Sequence, residues 1–567
     1  MPDILTKLVD RGFDATKKDA TELPRGFAAD GSQNVLYSRG TIKTPFGFSK
    51  VESGSLPLNS GNAVLLTGVY SELDKSQHFL AVTKAKIYER DIQNSQWDDK
   101  TQSGVALQGN IYNPMSMASI LHTDGLALNG TGDDWYHHCL ICTGISPIQR
   151  WAGKFETDFA DLVGADGYHT TGSGVTTHYA LQVGAFYNRP ILISPKEADA
   201  NGNLIDCNQR IRWPMAGKLE TWTGTGSGYR DLLDAGGYNM WGALLGTQWI
   251  QYQNNSIWSL THVGGTRVFE PDIEMPDLGL LAPHLLYSKN NVHYIVGSDY
   301  NIYAYYGGSN ITPIGDKVQK FLQRDLDPKY AYRSWLCMGA ENSRLWVFIV
   351  PNGETYITQA YGVDVQSGSW MKRDYLHKWP TTTGGITSVS LVGASSYYAG
   401  LSYADAVTLT TTYAAAITAG TTYRQALQET FTKERLVFGD SAGYVLQADS
   451  DVFKDDTVNI PARHFTEVYD LGEPGKNKLW PGIRVTAKEL STGTGGVIVS
   501  YRTASFETTS TGWTAFTEQV LTSEFVDYEF TVWTTSKKIQ FSFTNADGDT
   551  FQISNYALIE PMLEGEI

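Results

Sequence analysis

The sequence has few cysteines, no long apolar segment and no apolar stretch near its N-terminus. Four cysteines in 567 residues are too few and too scattered for a disulfide framework, which favours synthesis in a reducing cytoplasm. No run of about 18 consecutive apolar residues occurs, so we expect no membrane insertion. Charged residues from Lys7 to Lys18 interrupt the kind of apolar segment that a signal peptide needs, and we expect none.

Clustered positive charge is also missing. The chain has 44 Lys and Arg against 60 Asp and Glu, a net charge of −16, and no basic run is longer than two residues. A protein that binds nucleic acid tightly needs clustered Lys and Arg to replace the counterions of the phosphates. The sequence therefore argues against a nucleic-acid-binding protein. If the protein lined a conduit for DNA, its negative charge would let the DNA pass without adhering.

What the chain has is an abundance of glycine, hydroxyl and aromatic side chains. Its 56 Gly, 15 Trp and 32 Tyr are typical of short strands joined by tight turns. One pattern recurs along it: a polar turn, an aliphatic residue, an aromatic residue and a short alternating run. The central residues of the repeats are Tyr88, Trp151, Trp213, Trp258, Tyr303, Trp346 and, more faintly, Val445.

The spacing of these repeats indicates a β-propeller. From Trp213 to Trp346 they are about 45 residues apart, and the earlier gaps are about 62. Units of roughly 40–50 residues with several short strands are typical of propeller blades. A single four-stranded blade cannot bury both of its faces, so neighbouring blades must stack on it. The count predicts about seven blades.

Two stretches show the alternation of strand pairs clearly. Residues 293–306 read as two strands around Gly297-Ser298-Asp299, and residues 344–364 as two strands around Pro351-Asn352-Gly353. Gly, Pro and Asn at these positions favour a reversal of the chain. Both stretches therefore predict hairpins.

Other patterns are rare. Helical periodicity is confined to the short segments 316–326 and 423–431. The Thr/Ala-rich stretch 403–428 contains a short internal repeat, and we interpret it as a decorated loop of the last blade. The alternative is a loop that contacts a neighbouring subunit.

The repeat ends near residue 462, and six or seven alternating strands follow in about 100 residues. Strands at this density with Gly- and Asp-rich turns suggest a β-sandwich. The predicted architecture is therefore all-β, with an N-terminal arm (1–29), a β-propeller (30–461) and a C-terminal β-sandwich (462–567).

The stretch before the first repeat predicts a strand pair. Residues 34–48 alternate around Ser38-Arg39-Gly40, where glycine favours a turn. We expect this pair to help close the ring of blades, with Phe46 and Phe48 packed against the first or the last blade.

The best candidate for a metal site is the segment 133–142, which contains His137, His138, Cys139 and Cys142. Zinc sites usually need a second ligand pair at characteristic spacing, and none follows here. Strand alternation would also place the two cysteines on opposite faces. We therefore interpret the segment as structural and expect no metal and no cofactor.

Three further stretches resemble functional loops only loosely. Residues 199–206 and 545–550 are rich in acidic and amide groups but lack the length and the terminal Glu of an EF-hand, so we interpret them as tight turns or hairpin tips. Residues 223–231 are Gly-rich without GxGxxG spacing, and we interpret them as a flexible loop between blades.

Catalytic signatures are few. The sequence lacks GxxxxGK[ST] and HExxH. Gly439-Asp440-Ser441-Ala442-Gly443 matches GxSxG by spacing alone, with no helical pattern after it to form a nucleophile elbow. The carboxylate pairs Asp133-Asp134 and Asp455-Asp456 are neighbours in predicted loops, with nothing to show that they face one substrate. We expect that the protein is not an enzyme and has no catalytic residues.

Residues 499–516 are similar to the hairpin of sialidase-type Asp boxes, although the Asp is missing and the loop is longer. We interpret this segment as a packing hairpin in which Trp513 covers the core of the sandwich. Carbohydrate binding is the alternative.

Three longer phrases resemble one family. They are LPRGFAADGSQNVLYSRGTIKTPFGF (23–48), the segment from Leu128-Asn129-Gly130 to Gly153, and RIRWPM…THVGG (210–265). In order, they resemble the propeller blades of the tail-nozzle, or tail-hub, proteins of short-tailed bacteriophages. The 403–428 insert departs from that pattern.

The resemblance implies a structural protein of the virion, made in the cytoplasm of a bacterial host. Such proteins form homo-oligomeric rings, commonly of six copies, below the portal and adaptor. They extend the DNA exit channel, through which viral DNA passes without specific binding, and they hold tail fibres or a needle. A closed ring with many edge loops for contacts suits this role.

Two alternatives from other classes remain open. The chain could be a host-glycan-binding tail or fibre protein that uses exposed aromatic residues such as Trp513 or Trp533. It could also be a propeller glycosidase with convergent acids on the central axis, although the sequence does not locate such acids.

Overall fold

The computed structural model shows a β-propeller of seven blades followed by a β-sandwich, as the sequence predicts. The residues that it describes are 4–6, 12, 14, 23, 27–38, 40–51, 57–72, 77–91, 96–104, 107–122, 136–164, 168–170, 172–339, 344–381, 384–392, 434–448, 452–490, 495–506, 511–546 and 548–563. Almost all regular structure in these ranges is β. None of the helices there is long and apolar enough to cross a bilayer.

Four short strands precede the first blade: β1 (Ile4–Thr6), β2 (Leu36–Ser38), β3 (Thr41–Lys43) and β4 (Phe48–Lys50). Blade 1 contains β5 (Val64–Ser71), β6 (Gln77–Thr83), β7 (Ile87–Asp91) and β8 (Gln96–Asp99). Blade 2 contains β9 (Ser116–His122), β10 (Tyr136–Cys142), β11 (Gln149–Trp151) and β12 (Ala160–Asp161).

Blade 3 contains β13 (Gln182–Phe186) and β14 (Arg189–Ile193), an inserted hairpin of β15 (Lys196–Ala198) and β16 (Leu204–Asp206), then β17 (Arg210–Trp213) and β18 (Gly228–Asp231). Blade 4 contains β19 (Asn239–Leu245), β20 (Gln248–Gln253), β21 (Ser256–Gly264) and β22 (Val268–Pro276). Blade 5 contains β23 (Leu286–Lys289), β24 (Val292–Val296), β25 (Ile302–Tyr305) and β26 (Ile311–Pro313).

Blade 6 contains β27 (Trp335–Met338), β28 (Arg344–Ile349), β29 (Gln359–Asp364) and β30 (Ser369–Asp374). Blade 7 contains β31 (Ile386–Val392), β32 (Arg435–Asp440) and β33 (Val445–Ala448), extended by β34 (Lys454–Asp455) and β35 (Val458–Asn459). Helix α1 (Gln319–Asp325) lies between blades 5 and 6, and 3₁₀ turns occur at Leu58–Gly61, Gly153–Phe155 and Pro328–Arg333.

Strand β4 completes the seventh blade. The first strand of each blade contacts the first strand of the next, and β31 contacts β5, so the blades form a closed ring. Strand β4 pairs antiparallel with β33, with Phe48 opposite Ala448. Phe48 is 1% exposed, stacks on Trp379 in the connection between blades 6 and 7, and packs against Phe438 of the last blade. The prediction for Phe48 is confirmed, and the blade that it completes is the last.

The sandwich contains β36 (Arg463–Phe465), β37 (Lys478–Lys488), β38 (Gly496–Arg502), β39 (Thr514–Ala515), β40 (Gln519–Val520), β41 (Val526–Ser536), β42 (Gln540–Thr544), β43 (Gln552–Ile559) and β44 (Met562–Leu563). Its larger sheet has the order β2-β3-β43-β37-β41, with β1 on β43 and β44 on β37. Its smaller sheet has the order β36-β42-β38-β39, with β40 on β38.

The N-terminal strand pair therefore belongs to the sandwich, whereas the sequence assigns it to the propeller. Strands β2 and β3 pair with Ser38 opposite Thr41, as the predicted turn requires. Strand β3 then pairs with β43, with Ile42 opposite Ile553. Alternation identifies a strand but not its partner, because the partner here lies about 500 residues further along the chain.

The segment 27–35 joins the sandwich to the sixth blade. The backbone N–H of Asn34 donates to the carbonyl of Lys372 in β30. Gln33 and Arg463, on the sandwich side, exchange two backbone hydrogen bonds. One apolar cluster continues from blades 4 to 6 into the sandwich and includes Trp370 and Val485. Propeller and sandwich thus share a continuous core.

Six of the seven repeat residues lie on the third strand of their blade, which explains the regular spacing. The exception is Trp346, which lies on the second strand, β28. In that blade the third strand has Gly362, where a Cβ atom would lie 2.7 Å from the Trp346 ring. The aromatic residue and the gap that receives it are therefore on neighbouring strands.

The remaining local predictions fall into two groups. The predicted hairpins are confirmed, because β24 pairs with β25 and β28 pairs with β29. The helix expected within 316–326 is α1. The segments 423–431 and 403–428 lie outside the described residues.

Candidate functional site

The proposed metal ligands lie on β10 without converging. Cys139 packs into the apolar cluster between blades 1 and 2, and Cys142 into the cluster between blades 2 and 3, so the prediction of opposite faces is confirmed. Burial raises the pKa of both thiols, that of Cys142 to about 11, which keeps them protonated at neutral pH. Across the described ranges, no three His, Cys, Asp or Glu side chains are grouped to hold a metal ion.

The acidic and Gly-rich stretches are turns. Asp199 accepts hydrogen bonds from the backbone N–H groups of Asn201 and Asn203 at the tip of the β15–β16 hairpin. The backbone N–H of Asp549 donates to the carbonyl of Ala546 in a second tight turn. The stretch 223–231 connects β17 to β18 inside blade 3, so its assignment to a loop between blades is wrong; glycine content indicates a turn but not which strands it joins.

The neighbouring carboxylates Asp455 and Asp456 have separate cationic partners. Both oxygens of Asp455 accept from Arg373, at 2.8 and 3.0 Å, and the Asp455 side chain is fully buried. Asp456 pairs with Lys378 at 2.7 Å. This ion pair network joins blade 6 to the extension of blade 7. Asp133-Asp134 lie outside the described residues.

A partly buried histidine lies between two carboxylates where blade 1 meets blade 2. His78 Nε2 is 2.9 Å from a Glu72 oxygen and His78 Nδ1 is 2.5 Å from a Glu89 oxygen. Its ring contacts that of Trp151, 5.0 Å away, on blade 2. Burial alone would lower the pKa of His78, but the hydrogen bonds and charges of the two glutamates outweigh it and raise the pKa to about 9.

The two tryptophans proposed for glycan contact differ in exposure. Trp513 stacks on Phe465 with ring centroids 4.9 Å apart, and the Arg502 guanidinium lies 4.4 Å from its ring. It packs as the sequence predicts. Trp533, by contrast, is 63% exposed and has a φ of +49°.

Strand β41, which contains Trp533, is an open edge of the larger sandwich sheet. It pairs with β37 on one side, and no described strand pairs with the other. One extra residue between Thr531 and Thr534 forms a β-bulge there. A non-glycine residue in the left-handed region costs about 1–3 kcal/mol, and such residues concentrate at functional surfaces.

A second feature is the channel mouth, where the segments leading into several first strands converge. It has two cavities that share Asn113 and Tyr332. The larger, about 370 Å³, is lined mainly by polar residues that include Lys196 and Asp206 of the inserted hairpin. The smaller, about 30 Å³, is lined in part by Arg333.

The Arg333 guanidinium lies among four tyrosine rings. Its distances to the ring centroids are 4.5 Å for Tyr330, 5.1 Å for Tyr112, 5.5 Å for Tyr332 and 5.8 Å for Tyr356. Its Nη1 donates to the carbonyl of Thr355, which holds the side chain in place. These residues come from loops of different blades, so spacing along the sequence does not reveal the cluster; the local signal is the tyrosine-rich run 330–333.

Beside this cluster, His284 lies flat on Trp335, with ring centroids 3.7 Å apart and planes at 5°. Burial lowers the pKa of His284 to about 3, so the imidazole is neutral at physiological pH. This stack closes one side of the small cavity, which both residues line.

The seven first strands, which surround the channel, carry no Asp or Glu. Convergent carboxylates on the inner strands, as a propeller glycosidase of the kind considered above would need, are therefore not present there. The inner wall of the channel is mainly apolar and uncharged.

Comparison with known proteins gives distant structural similarities only. No protein-family model matches this chain, and no curated protein does. Among solved structures, the chain is similar to YCF48 bound to D1 peptide, at 10% identity and a TM-score of 0.36 over 74% of this chain and 98% of that one. It is also similar to puromycin hydrolase, at 10% identity and a TM-score of 0.36 over 62% of this chain and 52% of that one. At this level neither similarity indicates what this chain binds.

Proposed function

We propose that this chain is a structural, non-enzymatic subunit of a bacteriophage tail. In this role it forms a homo-oligomeric nozzle or hub ring that extends the DNA exit channel below the portal and adaptor. The observation that carries the proposal is the open edge of the sandwich at β41.

The two edges of the larger sandwich sheet differ. Strand β2, at one edge, contacts β30 of blade 6 and is covered. Strand β41, at the other, is 11 residues long and exposes Val526 and Trp533, with Phe525 exposed just before it. Natural proteins usually shorten, charge or cover such edges, because an open edge pairs with other chains. The same edge carries Asp527, Glu529 and the β-bulge, so its exposed apolar residues, rather than backbone pairing along its whole length, are the candidate contact between subunits.

The rest of the molecule suits a ring subunit. The propeller and the sandwich share a core, and this core holds the open edge at β41 in a fixed orientation relative to the propeller. A closed symmetric assembly requires such a fixed orientation. The net charge of −16 repels DNA from the molecule as a whole, while the first strands of the blades carry no Asp or Glu. The phrases that resemble tail-nozzle proteins lie on β2 and β3 of the sandwich, up to the first residue of β4, and on blades 2 to 4.

The first test is the mass of the purified chain in solution, measured by light scattering over a range of concentrations. We expect a closed oligomer of one copy number. Trp533→Asn keeps a residue that tolerates positive φ and should weaken association by about thirtyfold, the effect of losing a hot spot of about 2 kcal/mol. The control is Tyr306→Asn, which removes another exposed aromatic ring and should leave association unchanged.

The second test is the position and copy number of the chain in intact virions, by electron microscopy and quantitative mass spectrometry. A ring of one symmetry order on the tail axis supports the proposal. Peripheral trimers, or no incorporation into particles, would refute it.

A host-glycan-binding protein is the second candidate, favoured only by the exposure of Trp533. An isolated chain with that function would bind host polysaccharide saturably, and Trp533→Asn would abolish the binding. A nozzle subunit would show no saturation in the same assay.

A further inference from the structure

We infer that the channel mouth is a binding site for an oxyanion, a carboxylate or a phosphate group, held by Arg333 within its ring of tyrosines. The inference concerns the channel mouth of the propeller and does not rest on the proposed role in a tail.

The first argument is the uncompensated charge of Arg333. Its side chain is more than nine-tenths buried, at 9% exposure. Among the residues that the structure describes, the guanidinium donates to the Thr355 carbonyl and lies within hydrogen-bonding reach of the Tyr332 side chain, both neutral acceptors, and its buried Nε has no partner. No described carboxylate lies within ion-pair distance of it, whereas the buried Arg373 pairs with Asp455. A buried charge without a partner is costly, so the site favours an anion.

The second argument is the surroundings of the guanidinium. The faces of tyrosine rings attract a cation and partly offset its burial, but they do not use its N–H donors. The rings also restrict the orientation of the planar guanidinium, which leaves its other donors available for a planar acceptor. Two parallel hydrogen bonds from arginine to a carboxylate or a phosphate are the strongest pairing that such a donor makes.

The third argument is the size and shape of the space. The small cavity beside Arg333 is about 30 Å³, and one water-sized atom needs about 10–15 Å³. It therefore has room for about two oxygen atoms, which is the size of one end of an oxyanion. Asn113 and Tyr332 also line the polar cavity of about 370 Å³, which could hold the chain that carries the oxyanion. The geometry fits the end of an extended molecule.

Ligand-observed NMR at constant ionic strength tests the site with defined probes. These are acetyl-triglycine with a free carboxylate, the same peptide with a C-terminal amide, and inorganic phosphate. We expect saturable binding of the free-acid peptide or of phosphate and no binding of the amide. Saturation by the peptide assigns a carboxylate ligand, and saturation by phosphate alone assigns a phosphate ligand.

Three variants show whether Arg333 holds the probe. Arg333→Gln should weaken binding about tenfold or more, because it removes charge-assisted hydrogen bonds. Tyr112→Ala removes a ring that is 62% exposed, should fold normally and should weaken binding a few fold. The control Arg230→Gln makes the same charge change at a partly exposed position of β18 and should bind as the wild type does.

Two results would overturn the inference. One is the absence of saturation with both the free-acid peptide and phosphate. The other is unchanged affinity in a folded Arg333→Gln variant. If that variant does not fold, unchanged affinity in Tyr112→Ala has the same meaning.

Discussion

Truncation of Phe48 tests how the ring of blades is closed. Phe48 is almost fully buried, and its ring lies 5.7 Å from Trp379, 5.8 Å from Phe438 and 6.2 Å from Tyr375, measured between centroids. Removing a buried phenylalanine side chain costs about 3–5 kcal/mol. Because three aromatic neighbours lose a partner at once, we expect Phe48→Ala to fall in the upper part of that range.

The assay is equilibrium unfolding in urea, followed by tryptophan fluorescence. With a slope of about 3 kcal/mol/M, the loss lowers the midpoint of the first transition by about 1 M or more. The control is Phe46→Ala, two residues earlier, where the ring is half-buried and contacts Phe453; its midpoint should move much less. Equal midpoints for the two variants would show that the packing of Phe48 on β4 does not stabilise the closed ring of blades.

Three further predictions concern the contacts between blades. The pKa of His78 is raised to about 9 from about 6.5 in the unfolded chain. The stabilisation of the folded state by protonated His78 is therefore complete below pH 6.5 and is lost as the pH rises through 9. The urea midpoint should fall over that pH range, and it should fall less in His78→Gln. Gly47→Ala should lower the free energy of unfolding by about 1–3 kcal/mol or more, because its Cβ would lie 1.8 Å from a backbone oxygen. Gly475→Ala, with open space around the Cβ position, should not lower it. Equal urea midpoints for the two variants would contradict this. Arg373→Met should lower the free energy of unfolding by about 3–5 kcal/mol in the same assay, because it leaves the Asp455 carboxylate buried without its guanidinium partner. An unchanged urea midpoint would mean that water reaches the carboxylate.

The fold could be predicted from the sequence where the signal is local. Alternation and the repeated aromatic residues identify the blades, because each blade pairs its own consecutive strands. The destination of β2 and β3 could not be predicted, since their partner β43 lies near the other end of the chain. The same holds for Phe48, whose alternation predicts a strand while its neighbours, such as Phe438, come from the last blade.

The candidate sites were less predictable than the fold. Trp533 is identifiable as an aromatic residue in a strand, but its exposure depends on β41 being an edge, which only the pairing of the sheet decides. Arg333 and Tyr112 meet because the ring brings together loops that are more than 200 residues apart in the chain. Neither the spacing nor the composition of those loops encodes this proximity.

The pairing of β4 with β33 also fixes when the molecule can finish folding. Lys50 must find Leu446, and a ribosome that adds about 5–20 residues per second needs roughly 20–80 s to synthesise the chain between them. Strand β3 waits longer still, for β43. During this interval β4 has no partner and β3 is paired only with β2, so the unclosed propeller is the stage of biosynthesis at which the chain is most exposed to aggregation and most dependent on chaperones.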